Sequence, residues 1–359
     1  MNPKISISKY QACLLGGAIG DALGAPVEFL SAQQIQSKYG HRGISTYVEF
    51  SDGKGMFTDD TQMTLFTAEG LLRSGHGQNG TRANLITTTY EAYQHWIYTQ
   101  DHPFSQDQPK NSGWLMRESD LYQRRAPGTT CLVSLRGKKP GSILEPINNS
   151  KGCGAIMRMA PVGLMYFGQT EEAFKIGSDL SALTHGHPSG YLSGGFFAAL
   201  IADLAVGLDL NTAVQHAIEQ LKKWGEHEET LHAVQCALDL FQETKKSKSL
   251  SPEIIEKLGS GWVAEEALSI SLFASLHHEK DVKKGLILSV NHSGDSDSTG
   301  AITGNILGLI NGMESIPEKW ISNLQSKDIV LEVAGDLYTQ AMVEEKPADD
   351  TWWDKYPGS

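Results

Sequence analysis

Cysteine is scarce in this chain. The four present, Cys13, Cys131, Cys153 and Cys236, are widely scattered and show no paired ligand spacing. That excludes a disulfide framework and a cysteine-built zinc site. Long apolar runs are missing too. The run from Ala12 to Ile19 is short and ends at Asp21, a poor signal peptide and no transmembrane helix. Positive charge is not in excess either. The net charge is −12, which argues against non-specific binding to nucleic acid or to an anionic membrane. Convincing alternating strands, low-complexity tracts and solenoid repeats are all absent. The expectation is a cytoplasmic, helical protein with neither nucleic acid nor membrane as partner.

What is present suits a globular enzyme. The 359 residues are 40% hydrophobic and 20% charged, enough to bury a large core in one large domain or two average ones. One stretch organises the rest: Phe57-Thr58-Asp59-Asp60-Thr61, between a Gly-rich turn (Gly53, Gly55) and a helical run from Gln62 to Arg73. A single Asp or Thr there is explained by helix capping. Two adjacent carboxylates between two hydroxyls exceed what a cap needs. Hard cations such as Mg²⁺, Mn²⁺ or Ca²⁺ take such oxygen clusters. A cation at a helix start also opposes the helix dipole, so several carboxylates are needed to hold it.

Near the other end, His292 to Gly300 repeats this chemistry before an apolar helical run, Ala301 to Ile310. Asp295 and Asp297 alternate with the hydroxyls of Ser296, Ser298 and Thr299. The opening resembles an EF-hand loop, which requires a bidentate acid at its twelfth position. Counted from Asp295, that position is Ile306, so the EF-hand is rejected. Two acidic helix starts separated by most of the chain are consistent with one shared metal site, and equally with two acidic caps.

Other stretches carry weaker signals. Gly16, Gly20 and Gly24 recur every four residues and form a smooth ridge on a helix, open to another helix or to a ligand. No strand precedes them and the dinucleotide spacing is missing. Asp21 and Glu28 are acids in apolar surroundings, either capping or site residues. Residues 31–56 read as an irregular polar loop, and residues 84–99 as a helix. Residues 100–150 are the least regular, with Pro103, Pro109, Pro127, Pro140 and Pro146 and basic residues Arg124-Arg125 and Arg136-Lys138-Lys139. They read as an excursion folded over one domain. The turn from Asn148 to Gly154 lets backbone N–H groups approach an anion, with a helix starting near Ala155. Thr184-His185-Gly186-His187-Pro188 precedes an apolar helix, Leu192 to Leu208. Asn211 reads as the cap of the next helix, stopped by Gly225. Further helices are expected over about 227–243, 252–258, 262–278, 281–290 and 329–345. The tail from Pro347 to Ser359 carries Trp352-Trp353 among polar residues, and whether it docks is left open.

Five motifs together resemble the ADP-ribosylglycohydrolase family. They are Gly-Ala-Ile-Gly-Asp-Ala-Leu-Gly-Ala-Pro-Val-Glu-Phe, Phe-Thr-Asp-Asp-Thr-Gln-Met-Thr-Leu, Ser-Lys-Gly-Cys-Gly-Ala-Ile-Met-Arg-Met-Ala-Pro, Leu-Thr-His-Gly-His-Pro and Gly-Asp-Ser-Asp-Ser-Thr-Gly-Ala-Ile. They follow the family's order from about residue 10 to 312. The resemblance implies a compact, all-α, single-domain orthogonal helical bundle over residues 1–359, with a central dinuclear metal site holding Mg²⁺ or Mn²⁺. It implies Thr58, Asp59, Asp60, Asp295, Asp297 and Ser298 as ligands, although the family usually has Thr where Ser298 stands. It implies Glu28, or Asp60, as the group that takes a proton from water. It also implies a diphosphate turn from Ser150 to Met157, including Gly152, Cys153 and Gly154, with His185 near the ribose. Cys153 stands where some members have Asn.

The activity implied is hydrolytic removal of ADP-ribose from modified protein side chains, with arginine the favoured linkage. Such cleavage develops oxocarbenium character at the ribose. The alternatives are another linkage (serine or O-acetyl-ADP-ribose), a binding partner that neutralises an ADP-ribosyltransferase toxin, or a structural module whose acids are only caps.

Overall fold

The computed structural model describes residues 5–48, 53–75, 81–108, 112–137, 139–247, 250, 252–342 and 350–358. Pro109, Lys138 and Pro347 lie outside them, as do residues 343–345 of the last expected helix. Seventeen α-helices occur among the described residues. The first five are α1 (Ile7–Gly24), α2 (Ala32–Tyr39), α3 (Asp59–Arg73), α4 (Arg82–Asp101) and α5 (Thr129–Leu135). The middle of the chain forms α6 (Ala160–Met165), α7 (Thr170–Ala182), α8 (Pro188–Ala205), α9 (Leu210–Leu221) and α10 (Glu228–Thr244). Then come α11 (Pro252–Ile255), α12 (Ala264–His277), α13 (Val282–Val290), α14 (Ser296–Asn311), α15 (Glu318–Ser322), α16 (Lys327–Met342) and α17 (Asp350–Lys355). No strand is found among the described residues, where two isolated bridges, Gly55 with Leu324 and Gly152 with Val263, are the extended pairings.

The centre of the fold is the antiparallel pair α1 and α14. A Cβ added to Gly16, Gly20 or Gly24 would lie 2.3, 2.0 or 2.2 Å from the backbone oxygens of Gly304, Gly300 and Ser296. The reverse also holds, since a Cβ on Gly304 would lie 2.0 Å from the Gly16 oxygen. The ridge therefore serves a helix, not a ligand. Glycine on at least one side of each contact permits this backbone-to-backbone approach. Asn305 locks the pair by donating to the Cys13 carbonyl at 2.9 Å. Because the two helices are antiparallel, the end of α1 lies beside the start of α14.

Local chemistry explains where several of the helices begin. The Thr58 hydroxyl accepts from the Asp60 N–H, and Asp281 caps α13 by accepting from Lys284. The cap of α9 is Asp209, which accepts from Thr212; the expected cap, Asn211, is the second residue of the helix's first turn. That helix ends at Leu221, before Gly225. Residues 31–56 are not wholly irregular, because Ser31 and Gln34 form a reciprocal capping box that starts α2. After the Gly turn the chain makes a short 3₁₀ turn, Ile156–Arg158, and α6 begins only at Ala160.

The excursion over residues 100–150 contributes two 3₁₀ turns, Trp114–Arg117 and Ser119–Tyr122, and α5. Its basic residues are largely engaged: Arg136 pairs with Asp101, and Lys139 with Glu145 at 3.4 Å. The tail docks. Tyr356 is buried, accepts from Trp114 Nε1 at 2.9 Å and donates to Asp336. One apolar cluster, running from Tyr10 and Phe66 through Phe196 and Phe273 to Leu337, underlies all of these elements.

Candidate active site

Three chain segments deliver acids to one place. The end of α1 and the residues after it bring Asp21 and Glu28, the start of α3 brings Thr58, Asp59 and Asp60, and the start of α14 brings Asp295, Asp297 and Ser298. The two helix starts touch, since the Thr58 hydroxyl donates to Asp297 Oδ2 at 3.3 Å. At α14 the Ser298 N–H is shared by two carboxylates, donating to Asp295 Oδ1 at 3.3 Å, which caps the helix, and to Asp297 Oδ1 at 3.0 Å. Asp21 does not line the cavity. It holds the start of α3 instead, accepting from the Thr58 N–H at 2.8 Å and from the Thr61 hydroxyl at 2.6 Å.

These acids line one end of a cavity of about 330 Å³, together with Ser298 and Met157. That volume suits a small ligand or part of a larger one. No lysine or arginine is among its lining residues, so the carboxylates face one another without a cation. Burial pushes the Asp59, Asp60 and Asp295 carboxyls well above the usual carboxylate range, and among the neighbouring charges Asp297 contributes most. Burial, then Asp297 and Asp295, push Glu28 up to about 10.

The Gly turn forms the adjoining wall. Gly152, Cys153 and Gly154 line the cavity, and behind them lies the His185 ring. A Cβ on Gly152 would lie 3.4 Å from His185 Nε2, and one on Gly154 would meet Cys131 Sγ at 3.0 Å. Glycine thus leaves the turn's backbone accessible to a ligand. An antiparallel bridge steadies the turn: the Cys153 N–H donates to the Trp262 carbonyl at 3.2 Å, and Ala264 N–H to Lys151 at 2.8 Å. Cys153 also reaches the acids, its thiol 2.7 Å from Asp295 Oδ2. Ser150 is not on the cavity wall. Its hydroxyl lies 3.0 Å from that of Thr130 and accepts from the Gly152 N–H. The two histidines of the His-Gly-His stretch separate. His185 reaches the cavity, whereas His187 caps α8 by accepting from Ser189 at 3.1 Å. Burial, then the Arg158 charge, push His185 down to about 3, so it is a neutral ring with Nδ1 2.8 Å from the Thr184 hydroxyl.

The donor set fits hard divalent cations. Carboxylates from Asp59, Asp60, Asp295 and Asp297 and the hydroxyls of Thr58 and Ser298 are oxygen donors, and the buried Asp60 Oδ1 has no hydrogen-bond partner among the described residues. No three acidic, histidine or cysteine side chains among the described residues are already closed around one point. Holding an ion therefore calls for side-chain adjustment.

Several contributors were not read from sequence. Phe29 and Trp262 are 72% and 41% exposed and stack at the cavity mouth with ring centroids 5.5 Å apart. The Gly128 N–H donates to Asp59 Oδ2 at 3.1 Å, and the fully buried Arg158 donates to Thr184 at 2.7 Å behind His185. An exposed tryptophan after two glycines was the one available signal. Arg158 had none, since burial of a guanidinium follows from the packing around it.

Comparison with known proteins identifies the family and the fold. The family model described as ADP-ribosylglycohydrolase matches residues 2–347. The chain is 27% identical to the ADP-ribosyl-[dinitrogen reductase] glycohydrolase of Rhodospirillum rubrum over 319 residues, covering 87% of this chain and 89% of that one. It is 24% identical to the ADP-ribosylarginine hydrolase Tri1 of Serratia proteamaculans over 343 residues, covering 95% and 81%. A solved structure titled as an ADP-ribosylglycohydrolase-related protein complex superposes with a TM-score of 0.63 at 23% identity, covering 94% of this chain and 99% of that one. At that identity it speaks for the shared all-α fold alone.

Proposed function

We propose, from the premise that this chain belongs to the ADP-ribosylglycohydrolase family and hydrolyses ADP-ribosyl bonds, that its substrate is ADP-ribosylarginine in proteins and its cofactor two Mg²⁺ or Mn²⁺ ions. The carrying observation is the meeting of two acid-and-hydroxyl helix starts beside a half-buried Gly turn in one cavity. The similarity to a relative named for ADP-ribosylarginine supports the linkage. All four cysteines are unpaired, which supports a reducing compartment such as the cytoplasm.

Thr58, Asp59, Asp60, Asp295, Asp297 and Ser298 would hold the cations. Bound there, divalent ions supply fixed positive charge for the ribose hydroxyls and for a water. The Gly152 and Cys153 N–H groups already donate within the protein, so of the turn's backbone it is the Gly154 N–H that would bind the diphosphate. Once positive charge held by the neighbouring acids offsets the repulsion that keeps its carboxyl protonated, an ionised Glu28 would take a proton from the attacking water as the ribose–guanidinium C–N bond breaks and would return it to the departing guanidine, with Asp60 the alternative acceptor. The neutral His185 ring backs the Gly turn without adding charge.

The test is release of ADP-ribose from an arginine-ADP-ribosylated protein with Mg²⁺, then with excess EDTA. Release that EDTA stops and Mg²⁺ restores supports linkage and cofactor together. Tight ADP-ribose binding without release moves the assignment to another linkage.

A further inference from the structure

Arg158 is fully buried, yet no carboxylate is among its partners in the described residues. Its Nη1 donates to Met63 Sδ at 3.3 Å and to Cys131 Sγ at 3.4 Å, and its Nη2 donates to the Thr184 hydroxyl at 2.7 Å. Its Nε has no hydrogen-bond partner there, and the guanidinium carbon lies 4.4 Å from the centre of the Tyr93 ring. A guanidinium stays protonated in a protein. A buried charge is costly unless an opposite charge offsets it, and two sulfurs, a hydroxyl and a ring do not.

The charge sits directly behind the Gly turn. Cys131 lines the acidic cavity, and its thiol donates to the Gly154 carbonyl at 3.7 Å. The Gly154 N–H is the donor that the turn leaves to a ligand. One thiol therefore separates the guanidinium from an anion seated there. On the other side, Thr184 links Arg158 to the His185 ring, which also lines the cavity. Other cations near the turn are committed: the Lys151 ammonium binds Glu229 at 2.6 Å and also Glu265. Burial pushes the Cys131 thiol up, the Arg158 charge opposes this, and the Asp59 charge adds to it more weakly, so that sulfur feels both charges. Asp59 is one of the residues that would hold the cations of the site, whereas Arg158 has no such commitment.

We propose that Arg158 supplies the positive charge of the diphosphate site, acting on the ligand across the Cys131 thiol without touching it. This rests on the function proposed above and deepens it. A diphosphate is doubly negative, and one backbone N–H does not balance it. No lysine or arginine lines the cavity, and the His185 ring is neutral. In a chain of net charge −12, an unpaired guanidinium one side chain away is what makes this wall favour an anion. Charges held apart by a thiol in a dry interior interact more strongly than across water. Arg158 is thus a positioning residue for the diphosphate, not a catalytic one.

The experiment compares the Mg²⁺-loaded wild type with Arg158→Lys and Arg158→Met, reading the Kd for ADP-ribose by calorimetry and the Tm without ligand. Lysine keeps the charge, and methionine keeps much of the volume without it. The expected Kd is about 30-fold weaker for Arg158→Met and within about fivefold of wild type for Arg158→Lys. The Tm should move the other way. Arg158→Met should melt no lower than wild type, because an apolar side chain replaces an unpaired buried charge, and Arg158→Lys should melt lower. In Arg158→Met the KM for an arginine-ADP-ribosylated protein should rise with the Kd, and kcat should change less. Equal weakening in both variants means that shape and not charge is read, and overturns the inference. So does an Arg158→Met variant that binds within about threefold of wild type, or one that fails to fold or melts below Arg158→Lys. Wild-type enzyme that binds no ADP-ribose overturns the proposed function and this inference with it, whereas the other outcomes leave that function standing.

Discussion

The starts of α3 and α14 present the same chemistry, acids and hydroxyls at a buried helix N-terminus, yet they are held by different means. The α3 start is tied by polar contacts. Asp21 accepts from Thr58 and Thr61, and the Arg125 carbonyl accepts from the Asp59 N–H at 3.2 Å. The α14 start is fixed by backbone packing along the glycine ridge, with the Asp295 N–H bonded to the Ser260 carbonyl at 2.8 Å. Polar ties lose strength one at a time, whereas a ridge with no room for a methyl group fails as a unit. The two modes together place mutually repelling carboxylates where the folded core cannot relax them apart.

The largest expected effect treats the two starts as equal. Asp60→Ala and Asp297→Ala should each lower kcat/KM by at least about 1,000-fold, or about 4 kcal/mol of transition-state stabilisation. Both should fold with unchanged or higher Tm in EDTA, because each removes a like charge from a buried cluster. Turnover retained in both variants would sink the shared-site assignment.

The next effect should separate the starts. Gly20→Ala places a methyl carbon 2.0 Å from the Gly300 oxygen, and overpacking on this scale costs about 3 kcal/mol. Urea unfolding should show that loss, with ADP-ribose binding falling alongside. A stability within experimental error of wild type would mean that the ridge is not what holds α14.

A smaller loss is expected at the polar tie. Asp21→Ala orphans the Thr58 N–H and the Thr61 N–H and hydroxyl, a cost of about 2 kcal/mol. Activity should drop further than stability, by about tenfold to a hundredfold, because Thr58 and Asp59 lose their register. Equal kcat in this variant and the wild type would place the tie outside the function.

The smallest effect is a control remote from both starts. Burial, then the adjacent His278, push His277 down to about 4, and its Nε2 lies 2.8 Å from the Thr244 hydroxyl. An unfolded histidine titrates near 6.5, so between about 6.5 and 4 the unfolded chain binds more protons. Stability should therefore fall as the pH drops through that window. His277→Gln should flatten that fall, read as the urea midpoint at each pH, and leave the ridge and tie variants in the same rank order.

Much of this was legible in the residues. Paired acids beside hydroxyls marked both helix starts, and the four-residue glycine spacing marked a surface of close approach. What spacing left open was the occupant of that surface, since a ridge accepts a helix or a ligand alike. His185 and His187 looked equivalent until the chain direction into α8 made one a cap. Asp209 outcompeted Asn211 as a cap because its position left the whole of Leu210–Leu221 free to bury an apolar face. The capping box at Ser31 and Gln34 was readable and was passed over among polar neighbours.

By itself the sequence determined the helical class, the inventory of oxygen donors and the sites where backbone contact is tolerated, because these follow from residue type and short spacing. The tertiary structure decided which donors meet, that Asp21 supports where Glu28 lines the cavity, and that the Arg158 guanidinium lies behind the Gly turn. Those outcomes depend on the antiparallel seating of α1 against α14, a contact between chain ends that no local pattern encodes.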